Sequence, residues 1–342
     1  MLCIFRIHPN LKHMKITNTI IYIFSIILNR FRIQLLLCFC LVFGCTFIHA
    51  QQDVMYSQYM NNMLNTNPAY AGNKTENNIT ALYRKQWVNV DGAPTTGSIS
   101  WDYRKEDSNV GYGVQIYNDK LGIETSTGFN AFYSYHIPFE KSSLIFGLSA
   151  GVMNYRAAYL TGTNPTTGGG VDPSFQEDLN SILPTAGIGA IYTTDKWYLG
   201  LSSPALLKTK IYNNNFQVVS SANNRYFLTG GYIFDISPIL KFKPSVMLKA
   251  NNGTSLHYDI NLNGWFSNGV GLGISYRSND AVVGMVEFQI IPGFTLGYSY
   301  DYLTSNLKTY SSGTHELMLR FEFDSWTRTD GLHRRVQSPR YY

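Results

Sequence analysis

From about residue 78 onward, apolar and polar side chains alternate with a period of two, the spacing that sends successive residues to opposite faces of a β-strand. Between 269 and 277, Val270, Leu272, Ile274 and Tyr276 form one row against Gly271, Gly273, Ser275 and Arg277. Phe294, Leu296, Tyr298 and Tyr300 alternate with Thr295, Gly297, Ser299 and Asp301. In the last such run His315, Leu317, Leu319, Phe321 and Phe323 oppose Glu316, Met318, Arg320, Glu322 and Asp324. One row is apolar and aromatic, the other mostly polar or small.

Strand-like runs begin near Asn78, Pro94, Asn109, Gly122, Ser143, Pro184, Lys196, Ala222, Ile239, Ser255, Gly269, Ala281, Gly293 and Gly313, fourteen in all. An even number suits a closed antiparallel barrel with both chain ends on one side. If strands run alternately up and down, odd-numbered connections share one rim and even-numbered ones the other. The three longest, 156–183, 204–221 and 303–312, are the fifth, seventh and thirteenth, and so fall on one rim. The even-numbered connections are short: 105–108, 137–142, 195, 236–238, 266–268 and 291–292. A soluble two-sheet sandwich has no reason to sort its loops this way, whereas outer-membrane barrels carry long loops outside and short turns in the periplasm. The pattern predicts an all-β fold: a transmembrane antiparallel β-barrel of the bacterial outer membrane, with both termini periplasmic.

Lipid offers no hydrogen bonds to peptide groups, so a spanning sheet has to close on itself and its outward row has to be apolar. Leu317, Leu319 and Phe321 are therefore expected to meet hydrocarbon, with Met318 and Arg320 facing inward. Trp87, Trp101, Trp197, Trp265, Tyr298 and Tyr300 lie near strand ends and are expected in the interfacial aromatic girdles.

Upstream the pattern changes. An apolar run from Ile33 to Ile48 follows the basic stretch Asn29-Arg-Phe-Arg32 and ends at Ile48-His-Ala50. A positive region, an apolar region and a small boundary residue read as a secretory signal peptide, cut after Ala50. A competing reading makes Val42-Phe-Gly-Cys45 a lipobox with an acylated Cys45, against which Phe43 is bulky. Cys3, Cys38, Cys40 and Cys45 are all the cysteines of the chain, so an exported form has no disulfide and no thiolate metal site. The same stretch takes five basic residues, Arg6, Lys12, Lys15, Arg30 and Arg32, and no acidic one, which accounts for the whole formal charge of +5. What remains is balanced and lacks the basic footprint of a nucleic-acid binder. Its one local basic excess is the C-terminal tail, with Arg328, Arg334, Arg335 and Arg340.

Candidate chemistry is sparse. Gly147-Leu-Ser-Ala-Gly151 matches the G-x-S-x-G pattern of hydrolases, whose serine sits on a strand-to-helix elbow, but here it lies inside an alternating strand run. Gly168-Gly-Gly170 lacks the strand, helix and Lys context of a phosphate cradle. His136, His257, His315 and His333 are scattered, with no second ligand at metal spacing. No cofactor, metal site or catalytic set is expected, and a transport, anchoring or interaction role is favoured over an enzyme.

Between the presequence and the first strand lies Met55-Tyr-Ser-Gln-Tyr-Met-Asn-Asn-Met-Leu-Asn-Thr-Asn-Pro-Ala-Tyr-Ala-Gly-Asn73, uncharged and dense in Tyr, Met and Asn. The Asn67-Pro68 step disfavours helix at Asn67 and Gly72 permits a turn. Uncharged amide and phenol groups offer many hydrogen bonds without the desolvation cost of ions. We expect Tyr56, Gln58, Tyr59, Asn62, Asn67, Pro68 and Tyr70 to close the periplasmic mouth of a polar lumen and to present a surface to a periplasmic partner.

Gln58-Tyr-Met60 and Asn67-Pro-Ala-Tyr-Ala-Gly72, followed by Tyr83-Arg-Lys-Gln-Trp87 and Gly92-Ala-Pro94, carry a resemblance to the PorP/SprF family of Bacteroidetes outer-membrane proteins. Gly111-Tyr-Gly113, Asn118-Asp-Lys-Leu-Gly122, Ala131-Phe-Tyr-Ser-Tyr135 and the closing His315-Glu-Leu-Met-Leu-Arg320 extend it. The resemblance spans roughly 51–323; the long presequence and the tail after Asp324 depart from the usual pattern. It implies an accessory component of the type IX secretion and gliding machinery, supporting secretion or surface anchoring of an adhesin-like partner and contacting a periplasmic lipoprotein of the secretion apparatus or of peptidoglycan. The alternative is an outer-membrane channel or hydrophobic-solute transporter. The expected organisation is a signal peptide (1–50), a periplasmic segment (51–77), the barrel (78–324) and a basic tail (325–342).

Overall fold

The computed structural model describes residues 55–73, 77–105, 108–159, 178–207, 209–212, 218–222, 224–251, 256–266 and 269–323. The expected signal peptide, the lipobox, the Gly168–170 run and the basic tail lie outside the described residues. The first half of the wall is β1 (Asn77–Lys85), β2 (Thr95–Tyr103), β3 (Val110–Leu121), β4 (Glu124–Pro138), β5 (Ser142–Ala157), β6 (Leu179–Thr194) and β7 (Trp197–Ala205). A separate hairpin follows, β8 (Thr209–Tyr212) with β9 (Val218–Ala222). The second half is β10 (Arg225–Tyr232), β11 (Phe234–Ser237), β12 (Leu240–Asn251), β13 (His257–Phe266), β14 (Val270–Arg277), β15 (Ala281–Ile291), β16 (Phe294–Leu303) and β17 (Thr314–Phe323).

Successive wall strands pair antiparallel, β10 pairs with both β7 and β12, and β1 pairs with β17, which closes the ring. β10 and β11 are two parts of one strand, interrupted at Ile233, whose N–H donates to Lys196 O at 2.7 Å. Counted so, the wall is a closed antiparallel barrel of 14 strands, matching the predicted number, and each strand starts within a few residues of its expected position. The largest offset is at β6, expected from Pro184 but beginning at Leu179. Proline lacks an N–H and is confined to unpaired edges; the β6–β7 ladder begins at Ile188, with one further bond from Leu206 N to Ala186 O at 2.8 Å, so among the described residues Pro184 lies beyond that pairing while β5 holds its other side.

The connections 158–178, 206–224 and 304–313 all leave the wall on one rim, here the long-loop rim. The opposite, short-turn rim carries such connections as 195–196, 238–239 and 292–293. Two connections of the long-loop rim, 122–123 and 278–280, are nonetheless tight.

The register of β17 is as the alternation requires. Leu317, Leu319 and Phe321 are 48%, 46% and 41% exposed on the outer face, while Met318 is fully buried inside. Aromatic pairs mark both rims on the outer face: Trp101 with Tyr103, Tyr112 with Tyr133 and Tyr192 with Trp197 on the short-turn side, Tyr258 with Tyr276 and Tyr300 with His315 on the other. Such belts sit where hydrocarbon gives way to water. Trp265 is a correction to the expected girdle. Ile260, Leu262 and Phe266 face out on β13, so Trp265 points inward, where its Nε1 donates to Glu287 at 3.3 Å. Gly271 across the ladder makes room for it; a Cβ there would lie 2.8 Å from the indole. Trp87 sits half-buried in the turn after β1 with φ +45°.

Candidate functional site: the N-terminal segment inside the barrel

Residues Met55 to Asn73 lie within the barrel. Asn and Thr side chains compete with helix by bonding to nearby backbone, and the segment accordingly folds as three short 3-10 turns, Tyr59–Asn61, Met63–Asn65 and Pro68–Tyr70. Asn67 is extended (φ −145°, ψ 113°), as a residue before proline should be, and its Oδ1 accepts from Ala69 N at 2.9 Å. Gly72 has φ +61°, where a Cβ would lie 2.6 Å from Arg104 Cβ and 2.7 Å from Tyr103 O. Only glycine fits there without strain.

The segment runs the length of the lumen, from the long-loop rim to the short-turn rim. At the first end, Ser57 N and Gln58 N donate to the two oxygens of Glu316 at 2.7 and 2.8 Å. The Ser57 hydroxyl donates to the Asp301 carboxylate (2.7 Å) and accepts from Arg84 Nη1 (2.7 Å) and Arg277 Nη2 (3.3 Å), which uses its donor and both lone pairs. Arg84, Arg277, Asp301 and Glu316 all stand near the strand ends that lead into the long-loop rim. They form one buried charge cluster. Arg84 pairs with Asp301 at 2.7 Å and Glu316 at 3.1 Å, and Arg277 with Asp259, Asp280 and Asp301 at 3.3 to 3.4 Å.

At mid-height the contact is apolar. Tyr56, Tyr59, Met60 and Met63 pack against inward-facing Leu82, Phe227, Met247, Val283, Met285 and Met318. Polar groups at the same level are matched: Asn61 Nδ2 donates to Glu287 at 2.6 Å, Asn62 Nδ2 to Ser100 Oγ at 2.8 Å, and Ser202 Oγ donates to Thr66 O at 2.6 Å. Gln115 bonds to Asn65. At the lower end Ser134 Oγ donates to Ala71 O at 2.6 Å, Gly72 N to Asp102 at 3.1 Å and Arg104 Nε to Gly72 O at 2.8 Å.

The wall is also cut back where the segment passes. A Cβ on Gly147 would overlap the Ala69 and Pro68 backbone, one on Gly189 the Asn67 side chain, one on Gly111 the Ala71 carbonyl and one on Gly297 the Gln58 side chain. A close approach of two backbones is a place where glycine is needed for shape rather than for turning.

Of the seven residues singled out from the sequence, Tyr56, Gln58, Tyr59, Asn62, Asn67 and Pro68 are buried and Tyr70 is half-buried. Their side chains face the wall or the segment's own core. Two expectations are corrected. The segment does not merely cap the mouth from below, because its start is anchored at the far rim. The lumen is not uniformly polar, because the inward rows of β1, β10, β12, β15 and β17 supply an apolar band to which the Tyr and Met side chains match. Ser57 and its wall partners were missed as a site. The alternation placed Arg277, Asp301 and Glu316 on the inner row, and buried charges require counter-charges, but a period of two says nothing of which strands bring them to one height. Ser149 of the G-x-S-x-G match lies mid-strand in β5, not on an elbow.

Several solved outer-membrane barrels are similar in fold. The toluene transporter TbuX of Ralstonia pickettii is 11% identical over 78% of this chain and 93% of that one, with a TM-score of 0.47. Omp33 of Acinetobacter baumannii is 11% identical over 74% of this chain and 100% of that one, with a TM-score of 0.45. A FadL homologue of Pseudomonas aeruginosa is 12% identical over 75% and 93%, also at 0.45. Likeness at this level has no bearing on what passes through or binds to this barrel. Comparison with curated proteins gives no match. The family described as "Type IX secretion system membrane protein PorP/SprF" matches residues 48–321, most of the barrel and all of its internal segment, and the chain belongs to that family.

Proposed function

We propose that this protein is a plugged outer-membrane barrel that serves type IX secretion by holding a partner polypeptide, an adhesin-like secreted or surface protein, rather than by passing solutes. The observation that carries the reading is the lumen filled by its own N-terminal segment, hydrogen-bonded at both ends and packed in the middle. A segment seated this way leaves the rims and long loops for partner contact. Long loops belong outside and short turns in the periplasm, which orients the Ser57 end outward and the end of β17 toward the periplasm, where a lipoprotein of the secretion apparatus or of peptidoglycan has access. The role is non-catalytic.

Deleting the gene should abolish surface appearance of one adhesin-like substrate while other cargo of the machinery is still secreted. A chain lacking residues 57–66, with β1 and β17 joined by a disulfide between Ala81→Cys and Leu319→Cys, should insert as a barrel yet fail to support that substrate. Normal secretion in both strains, together with solute uptake that depends on the gene, would overturn the reading in favour of a transporter.

A further inference from the structure

All wall pairings but one join wall strands that follow each other along the chain. The exception is β1 with β17, which brings Asn77–Lys85 against Thr314–Phe323 across nearly the whole barrel sequence. Loop-closure entropy grows with the logarithm of the enclosed length, so this seam is the pairing that local hairpin formation helps least.

The seam contains a buried ion pair. Arg84 of β1 and Glu316 of β17 are register partners, and Nη1 lies 3.1 Å from Oε2. That contact occupies one carboxylate oxygen. The N-terminal segment supplies further bonds to this carboxylate: Ser57 N donates to Oε2, Gln58 N to Oε1. Through its hydroxyl, Ser57 also bridges Arg84 of β1 to Asp301 of β16. The segment therefore bonds to the first strand and the last two strands at once, on the inner face of the seam. Taking it away strips two donors from the Glu316 carboxylate and the bridging hydroxyl from Arg84 and Asp301, and so removes the link that the segment makes between β1, β16 and β17 on the inner face of the seam.

We infer that the N-terminal segment is the clamp of the barrel seam, so that its seating and the pairing of β1 with β17 are one cooperative event. This concerns how the barrel closes, whatever partner it serves. The clamp also gives the segment two separable ends: the Ser57 end acts on the seam, and the Asn67 end, which bonds to Ala190 O of β6 at 3.3 Å, acts on the opposite wall.

The test is amide hydrogen exchange on the purified full chain in lipid, with substitutions at either end. Ser57→Pro removes the N–H to Glu316 and the bridging hydroxyl; Asn67→Ala removes the bond to β6. Exchange in β1 and β17 should rise by about tenfold in Ser57→Pro, corresponding to ~1.4 kcal/mol, with β5 to β7 unchanged. Asn67→Ala should show the reverse distribution. Should Ser57→Pro fail to fold, Ser57→Ala, which keeps the N–H, should show a smaller rise confined to the same strands. A disulfide across the seam, Ala81→Cys with Leu319→Cys, joins register partners on the outer face, and the chain has no cysteine beyond Cys45. It should return exchange of the Ser57 variants to the parent level, whereas Ala131→Cys with Ala150→Cys, register partners on β4 and β5, should not. Equal rises around the whole barrel, or no protection from the seam disulfide, would overturn the clamp.

Discussion

Gly147→Ala adds a single methyl group to the inner wall at the point where β5 runs against the segment backbone. The new Cβ would overlap Ala69 N, Ala69 Cα and Pro68 C, and backbone on both sides leaves no flexible side chain to give way. Overpacking of this kind costs typically 1–3 kcal/mol, and the rigidity of both partners puts Gly147 toward the upper part of that range. Against it stands a gain of about 0.4–1 kcal/mol from the reduced freedom of the unfolded chain, for a net loss of roughly 1–2 kcal/mol. In a chain lacking residues 57–71 the overlap is gone and only the gain remains. The coupling between the two changes is then about 1–3 kcal/mol. The cycle is measured by urea unfolding in lipid, followed by gel mobility of the folded barrel, with the seam disulfide present so that the shortened chain stays closed. Gly284→Ala is the control, since a Cβ there meets nothing within 4 Å, and it should show the same small gain of about 0.4–1 kcal/mol in both backgrounds. An equal cost for Gly147→Ala with and without the segment would refute the idea that the wall is shaped around it.

Leu317→Arg places a charge on the lipid face, clear of the seam disulfide, and should cost about 2–4 kcal/mol in either background. Met318→Arg also destabilises, for a different reason: Met318 faces inward but is fully buried against the segment. Removing the segment should relieve Met318→Arg alone, measured by the same unfolding assay. Met63→Ala empties part of the apolar contact and should cost about 2–5 kcal/mol, with m-value unchanged in urea titration. Protease added to intact cells should cut within 158–178, 206–224 or 304–313 and spare 104–109, since exposed loop tips are where nicking concentrates; the opposite pattern, read by mass spectrometry of the fragments, reverses the orientation.

The wall was legible because its signals are local. Period-two rows such as Leu317, Leu319 and Phe321 against Glu316, Met318 and Arg320 fix each strand's two faces, and connection length by parity fixes the rims. Tyr56, Gln58 and Asn67 stood out by composition and by the Asn-Pro step. The path of the segment was not legible, because it depends on where distant strands place their inward residues. Met318 and Leu82 sit in otherwise polar inner rows, and nothing local reveals that they meet Met60 and Met63. Gly147 and Gly189 read as small inner-row residues without showing what they approach. Trp265 was misplaced by its position near a strand end, although its parity against Leu262 and Phe266 points inward.

Conductance in planar bilayers tests the central claim most directly, that the segment fills the lumen and the barrel is not a channel. The full-length protein should insert without conducting, and the chain lacking residues 57–66, closed by the Ala81→Cys, Leu319→Cys disulfide, should open steady ion-conducting pores. Free conduction by the full-length protein, unchanged when the segment is removed, would contradict it.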